Sequence, residues 1–423
     1  MNKKLLCGFV AMTLSAGALA QSGTNSPYSQ YGLGILSDRS QGFSRGMNGV
    51  GLALRQGNIA NTLNPASYSA IDSLTMIFDL GVSGQITNFK EGGTKVNARN
   101  ADFEYAVGSF RLLPRLGMAF GVLPYTNVGY SYEATTYRDA TNGTITDAHQ
   151  GDGGLHEVFI GAGWQVLKPL SVGVNIGYLW GEINRTVTSS STSYINSMQR
   201  EYSTSISNYK LEAGLQWQQQ ISRNDVLTLG ATVGIGHNLN NEAKCVVSNV
   251  TNGTDSTFIV NDAFSLPMVY SAGLAWNHRN QLLVEADFSL RQWGSLDYPG
   301  VNAAGSYTMQ SGLLKDSYKL AAGLDYVPNA YSRRNFLQRV HYRLGAGYAT
   351  PYYNINGKEG PKELSISAGF GIPLQNNWNN RSVLNVSAQW VHTSATDMIT
   401  ENTFRLNLGI TFNERWFAKW KID

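Results

Sequence analysis

The sequence predicts an all-β protein, a transmembrane antiparallel β-barrel of about 14 strands with an N-terminal hatch or plug, and three observations predict it. First, only 14% of residues are charged, well below an ordinary soluble domain, yet the hydrophobic fraction is a modest 42%. No stretch after the N-terminus approaches the ~18 consecutive apolar residues a spanning helix needs, whereas a barrel strand needs them on one face only. Second, apolar residues alternate with polar ones over segments of about ten residues, the length a tilted membrane strand requires. Third, tight links recur at every second connection and longer polar ones lie between them. The 45 Gly, 22 Tyr, 16 Phe and 9 Trp suit this solution, aromatics at the membrane interfaces and glycine in turns and crowded lumen positions.

Residues 1–20 read as a secretory signal: Lys3 and Lys4, an apolar run from Leu5 to about Ala16, then Ala18-Leu19-Ala20 before the expected cleavage. Cys7 would leave with it, so Cys245 remains alone and no intramolecular disulfide is possible. Taking Lys3 and Lys4 from the formal charge of +3 leaves +1, which argues against nucleic acid as a partner.

Residues 21–72 have a different texture, rich in Gly, Ser and Asn. They include Arg45-Gly46-Met47-Asn48-Gly49-Val50-Gly51 and Asn64-Pro65-Ala66-Ser67-Tyr68. A flexible periplasmic leader is one reading. A hatch folded into the lumen is the preferred one, because glycine permits close backbone contact with a barrel wall and Leu52, Ala53 and Leu54 offer apolar anchoring.

The barrel is expected over 73–412. Period-two alternation is clearest at Phe404, Leu406, Leu408, Ile410 and Phe412, and recurs from Leu74 to Val82 and from Leu282 to Leu290. Strands are expected to start near residues 73, 98, 115, 153, 170, 198, 225, 266, 280, 312, 336, 362, 381 and 402. Tight links fall at Leu113-Pro114, Lys168-Pro169, Arg223 to Asp225, Asn277 to Asn280, Pro328 to Asn335 and Gln375 to Asn380. Long loops are expected over Asn88 to Asn100, Arg138 to Gly151, Thr186 to Tyr194, Asn240 to Ala263, Gly294 to Ser311 and Tyr352 to Pro361. Residues 413–423 would form a C-terminal periplasmic tail in which Trp416, Phe417 and Trp420 are interspersed with Arg415, Lys419 and Lys421.

The order of a Gly-rich segment, the triplet Asn64-Pro65-Ala66 and a first strand resembles the FadL-like outer-membrane transporters of hydrophobic compounds. The resemblance continues in Leu116-Gly117-Met118-Ala119-Phe120-Gly121-Val122-Leu123-Pro124-Tyr125, similar to that family's strand with a proline-marked kink. It extends through Tyr342 to Tyr348 and Gly369 to Pro373. What it implies is a fourteen-stranded barrel, an N-terminal hatch and a hydrophobic cargo. The Ser/Thr-rich stretch from Thr186 to Ser197 and the tail depart from the pattern.

Independently of that likeness, Pro124 removes one ladder hydrogen bond from a wall that has no edge, so it must sit at a local break, a bulge or a strand end. A break is where a hydrophobic solute could leave sideways into lipid. The inward parity collects Glu285, Asp287, Arg291, Lys319, Asp325, Arg343 and Arg405, a polar lumen ladder suited to holding a hatch. Trp164, Trp180, Trp217, Trp276, Trp293 and Trp390 read as interfacial girdle. Catalytic signals are poor: the six histidines are scattered, His156-Glu157 lacks a second histidine four residues on, and no motif calls for a metal or cofactor. Two readings follow. One is passive outer-membrane transport of a hydrophobic small molecule, with hatch gating and lateral release. The other is a scaffold barrel of a larger secretion or assembly complex. The expected partners are outer-membrane lipid, a hydrophobic ligand and other outer-membrane proteins.

Overall fold

The computed structural model describes residues 23–139, 143–191, 197–249, 253–302, 305–332, 334–374 and 382–415. The expected signal (1–20), the tight link at 375–380 and the tail beyond residue 415 lie outside the described residues. Fourteen strands form the wall: β1 (Thr75–Glu91), β2 (Thr94–Leu113), β3 (Leu116–Asp139), β4 (Gly143–Gln165), β5 (Leu170–Ser191), β6 (Met198–Gln220), β7 (Asp225–Gly234), β8 (Val269–His278), β9 (Leu282–Arg291), β10 (Ser317–Tyr326), β11 (His341–Ala349), β12 (Lys362–Leu374), β13 (Ser382–Ser394) and β14 (Thr400–Arg415). Each pairs antiparallel with its sequence neighbours. β1 then closes on β14 from Thr75↔Arg415 to Lys90↔Thr400. Closure is what lets a sheet live in lipid, since a closed ladder removes the two free edges of an open sheet.

Alternation survives in space. Phe78, Val82, Ile160, Leu320, Ile366 and Phe404 are exposed on the outer face, while Asp79, Ser83, Glu157, Asp287, Ser367 and Asn407 are buried inside. An apolar outer belt of this extent is far beyond what a monomer tolerates in water and is the surface a bilayer covers.

The expected strand starts are mostly within a few residues, and the largest miss is β4, expected near 153 and beginning at Gly143. The same cause moves three of the expected loops. Asn88 to Asn100, Arg138 to Gly151 and Thr186 to Tyr194 are largely strand, and β1 turns into β2 at Gly92-Gly93. Above the apolar belt both faces of a strand meet water, so the two-residue hydrophobic rhythm vanishes although the ladder goes on. The other three long connections fold into small hairpins: Ala243–Asn249 with Thr254–Val260, Tyr298–Val301 with Tyr307–Gln310, and Asn354–Ile355 with Lys358–Glu359. β14 runs three residues past 412, so Asn413, Glu414 and Arg415 belong to the wall.

Beneath these hairpins lies an apolar cluster that includes Leu155, Leu179, Phe264, Trp293, Tyr307 and Tyr352. Trp293 is thus no girdle residue. It is 1% exposed, with its ring centroid 4.8 Å from that of Tyr352, because the connection after β9 folds back over the lumen. Trp164, Trp276 and Trp390 do face outward.

Candidate functional site

Residues 23–72 lie in the lumen, and glycines in the wall make room for them. Asn64 caps a short 3-10 helix, Pro65–Ala70, accepting from the Ala66 amide at 3.1 Å, and Pro65 occupies a first-turn position where no amide is needed. The Asn64 Nδ2 donates to the carbonyl oxygens of Leu52 (2.8 Å) and Leu215 (3.1 Å), tying the segment to itself and to β6. The helix rests on backbone. A Cβ placed on Gly117, Gly163 or Gly173 would lie 1.9 Å from the Tyr68 oxygen, 2.4 Å from the Pro65 oxygen and 2.3 Å from the Pro65 carbonyl carbon. Gly230 does the same for Leu52, whose oxygen would be 2.0 Å away. Asn64, Pro65 and Ala66 are thus buried against β4 to β7.

The expected lumen ladder resolves into separate clusters because this segment runs between its members. Asp287 Oδ2 accepts from the amides of Gly51 (2.7 Å) and Leu52 (3.0 Å), and Glu285 Oε1 from that of Ala53 (2.8 Å). Arg343 donates to Asp325 at 3.0 Å and to Asn385 at 2.6 Å, its guanidinium 4.0 Å above the Phe43 ring, while His341 Nδ1 lies 2.7 Å from Asp325. Arg405 donates to Gln85 (2.9 Å). Arg291 and Lys319 join no ion pair among the described residues. Both line lumen cavities of about 240 and 130 Å³. The Asp287 contacts carry a testable cost. Asp287→Ala leaves two buried amides unpaired, at about 1–3 kcal/mol each. Trypsin should then cut after Arg45 or Arg55 at denaturant concentrations that leave the wild-type segment intact.

Further buried ionic contacts involve residues that sequence reading missed. Arg39 bridges Glu212 (3.0 Å) and Glu157 (3.5 Å), and Lys210 meets the same two carboxylates at 3.4 and 3.2 Å. Arg45 pairs with Glu104 and, at 3.7 Å, with Asp38. Burial would raise the Asp38 carboxyl, but Arg45, Lys319 and hydrogen bonds from Ser40 outweigh it and hold it well below the usual carboxylate range. A depressed folded-state pKa means that its contribution is present above the ordinary carboxylate pKa and is lost only as pH falls through the lower value. Inward parity of Glu157, Lys210 and Glu212 was readable; Arg39 and Arg45 sit in a segment without periodicity.

One interruption breaks the wall. β2 and β3 pair from Leu113↔Leu116 only as far as Ala106↔Val122. Beyond that point β2 bonds only to β1, and β3 from Leu123 onward bonds to β4, apart from a two-residue contact of Ile35 and Leu36 with Asn127 and Thr126. Pro124 sits at the start of this seam, opposite His156, and the β3–β4 register shifts between Pro124 and Thr126. The lumen segment covers the seam from inside: the Ser37 amide donates to the Tyr125 oxygen (3.0 Å), and the Gly129 amide to Ser29 Oγ (3.1 Å). Across the gap Asn127 Nδ2 donates to Asp102 (3.3 Å), a side-chain bridge where the ladder is missing.

The closed fourteen-strand antiparallel barrel has the fold of the FadL-type barrels. It matches the "CymD monoaromatic hydrocarbon channel" with a TM-score of 0.59 at 15% identity, covering 92% of this chain and 100% of that one. A FadL homologue from Pseudomonas aeruginosa matches with 0.62 at 12% identity, covering 89% and 99%. The Ralstonia pickettii toluene transporter TbuX gives 0.59 at 16% identity, covering 91% and 99%. No curated protein matches the chain in sequence. The chain belongs to the BamG family, whose family model matches residues 1–423.

Proposed function

We propose that this barrel sits in the outer membrane of a Gram-negative bacterium and passively carries hydrophobic small molecules, with the lumen segment as hatch and the seam beside Pro124 as lateral exit. The observation that carries this reading is the missing β2–β3 ladder above Val122, covered by hatch residues rather than by a strand. A solute leaving there enters hydrocarbon without crossing water. Solved structures of this fold include a monoaromatic hydrocarbon channel and a toluene transporter, which supports the substrate class. No energy source is needed if hatch positions interconvert and the solute prefers the open one.

A second reading has its own observation. The cavity beside the seam sets the charged Asp38, Asp102, Glu104, Glu401 and Arg405 among apolar residues such as Ile35, Leu36, Tyr353 and Val391, and a greasy molecule lodged there would strip water from those charges. That favours a scaffold or accessory barrel of a larger outer-membrane secretion or assembly complex. One experiment separates the two. With Asp102→Cys and Asn127→Cys, oxidation should staple the seam. The transport reading expects uptake of labelled toluene to fall on oxidation and return on reduction. Uptake indifferent to the staple, together with a stoichiometric protein partner after gentle extraction, overturns it and establishes the scaffold.

A further inference from the structure

The short-turn end of the barrel has a charge pattern that neither reading uses. The connections β2–β3, β4–β5, β6–β7, β8–β9 and β10–β11 carry Arg115, Lys168, Arg223, Arg279 and Arg334, at least one exposed cation each, and none contains Asp or Glu between its strands; Asp225, the first residue of β7, is engaged by Ser222, Trp276 and His278. None of these five cations joins an ion pair among the described residues. Beside four of them stand apolar side chains open to the surroundings: Leu113 at 58%, Leu167 at 56%, Ile221 at 62% and Leu337 at 62%. The long connections at the other end lean acidic, with Asp255, Asp262, Asp297 and Asp397 among their residues.

We infer that this rim is a docking surface for anionic phospholipid headgroups of the leaflet it meets. Leucine and isoleucine next to arginine or lysine suit the boundary between acyl chains and headgroups, where the apolar group sinks and the long cationic side chain reaches a phosphate. The distribution decides the occupant. The cations recur at five successive alternate junctions, from β2–β3 to β10–β11, so a leaflet engages all of them, whereas an acidic protein would meet only one arc. The inference holds whether the barrel transports or serves as scaffold.

The test uses the full chain in bilayer nanodiscs of phosphatidylcholine with a minor share of phosphatidylglycerol, followed by detergent extraction and mass spectrometry of the retained lipid. Phosphatidylglycerol should be enriched about fivefold over the bulk ratio, the scale of one well-placed cation at an anionic surface. The joint variant Arg115→Gln, Lys168→Gln, Arg223→Gln, Arg279→Gln and Arg334→Gln should return to the bulk ratio. Lys244→Gln, Lys315→Gln and Lys358→Gln, at the opposite end, should retain the enrichment. If the five-site variant fails to fold, wild-type protein in about 1 M salt replaces it, because screening to ~3 Å should abolish the preference. No enrichment, enrichment that survives both the variant and salt, equal loss in the opposite-end control, or an acidic protein retained without lipid preference would each overturn the inference.

Discussion

Replacing Gly173 by valine is expected to dislodge the Pro65–Ala70 helix and convert a plugged barrel into one that conducts ions. A Cβ at this position would lie 2.3 Å from the Pro65 carbonyl carbon and 2.5 Å from the Ala66 nitrogen. Both are backbone atoms, so no rotamer change relieves the clash. Overpacking of this kind costs about 1–3 kcal/mol where neighbours can shift, and more where a buried chain cannot. Wild-type protein in a planar bilayer should show little conductance, and Gly173→Val long-lived open events together with new tryptic cuts after Arg39, Arg45 or Arg55. Gly92→Val serves as control, because nothing lies within 4 Å of a Cβ there; its positive φ makes it a strained site, yet one remote from the lumen. A Gly173→Val channel as quiet as wild type would show that the segment does not occlude the lumen.

The second large effect is expected at Arg39. Arg39→Ala leaves Glu157, 1% exposed, and Glu212 sharing Lys210 alone, an uncompensated charge inside the barrel. Removing one partner from a buried ionic cluster costs about 3–5 kcal/mol, mostly the penalty of the charge left behind. Denaturant-dependent proteolysis of the lumen segment measures it. Adding Glu212→Gln to Arg39→Ala should recover a large part of the loss, since the orphaned charge is then gone. Arg39→Lys should fall between, because a shorter ammonium keeps the charge but lacks the planar fork of donors with which the guanidinium at this position meets Glu212 and Glu157. Equal losses in the single and double variants would mean that Arg39 acts by filling space.

The strand rhythm at Phe404 to Phe412 or Leu282 to Leu290 was legible because lipid on one side and water on the other impose opposite demands on adjacent residues. The same logic fails from Gly143 to Asp152, where β4 stands clear of the belt and water wets both faces. Pro124 could be marked as a break from chemistry alone, since it has no amide to donate. That the break coincides with a seam between β2 and β3, as well as a register shift against β4, depended on where the register of those strands ends. Glu285, Asp287, Asp325 and Arg343 were identifiable as inward, yet their partners were not. Gly51 to Ala53 meet β9, and Phe43 meets β11, across more than two hundred residues of chain.

What the sequence determined by itself was the barrel, its strand number and which residues face in, because these follow from local alternation and from link lengths. What only the tertiary structure decided was how a segment without periodicity folds inside it: which glycines receive Pro65 and Leu52, which carboxylates receive Arg39, and which side of Pro124 is left unpaired. Those contacts join residues far apart in the chain through backbone shape and buried charge, and neither leaves a repeat for the sequence to show.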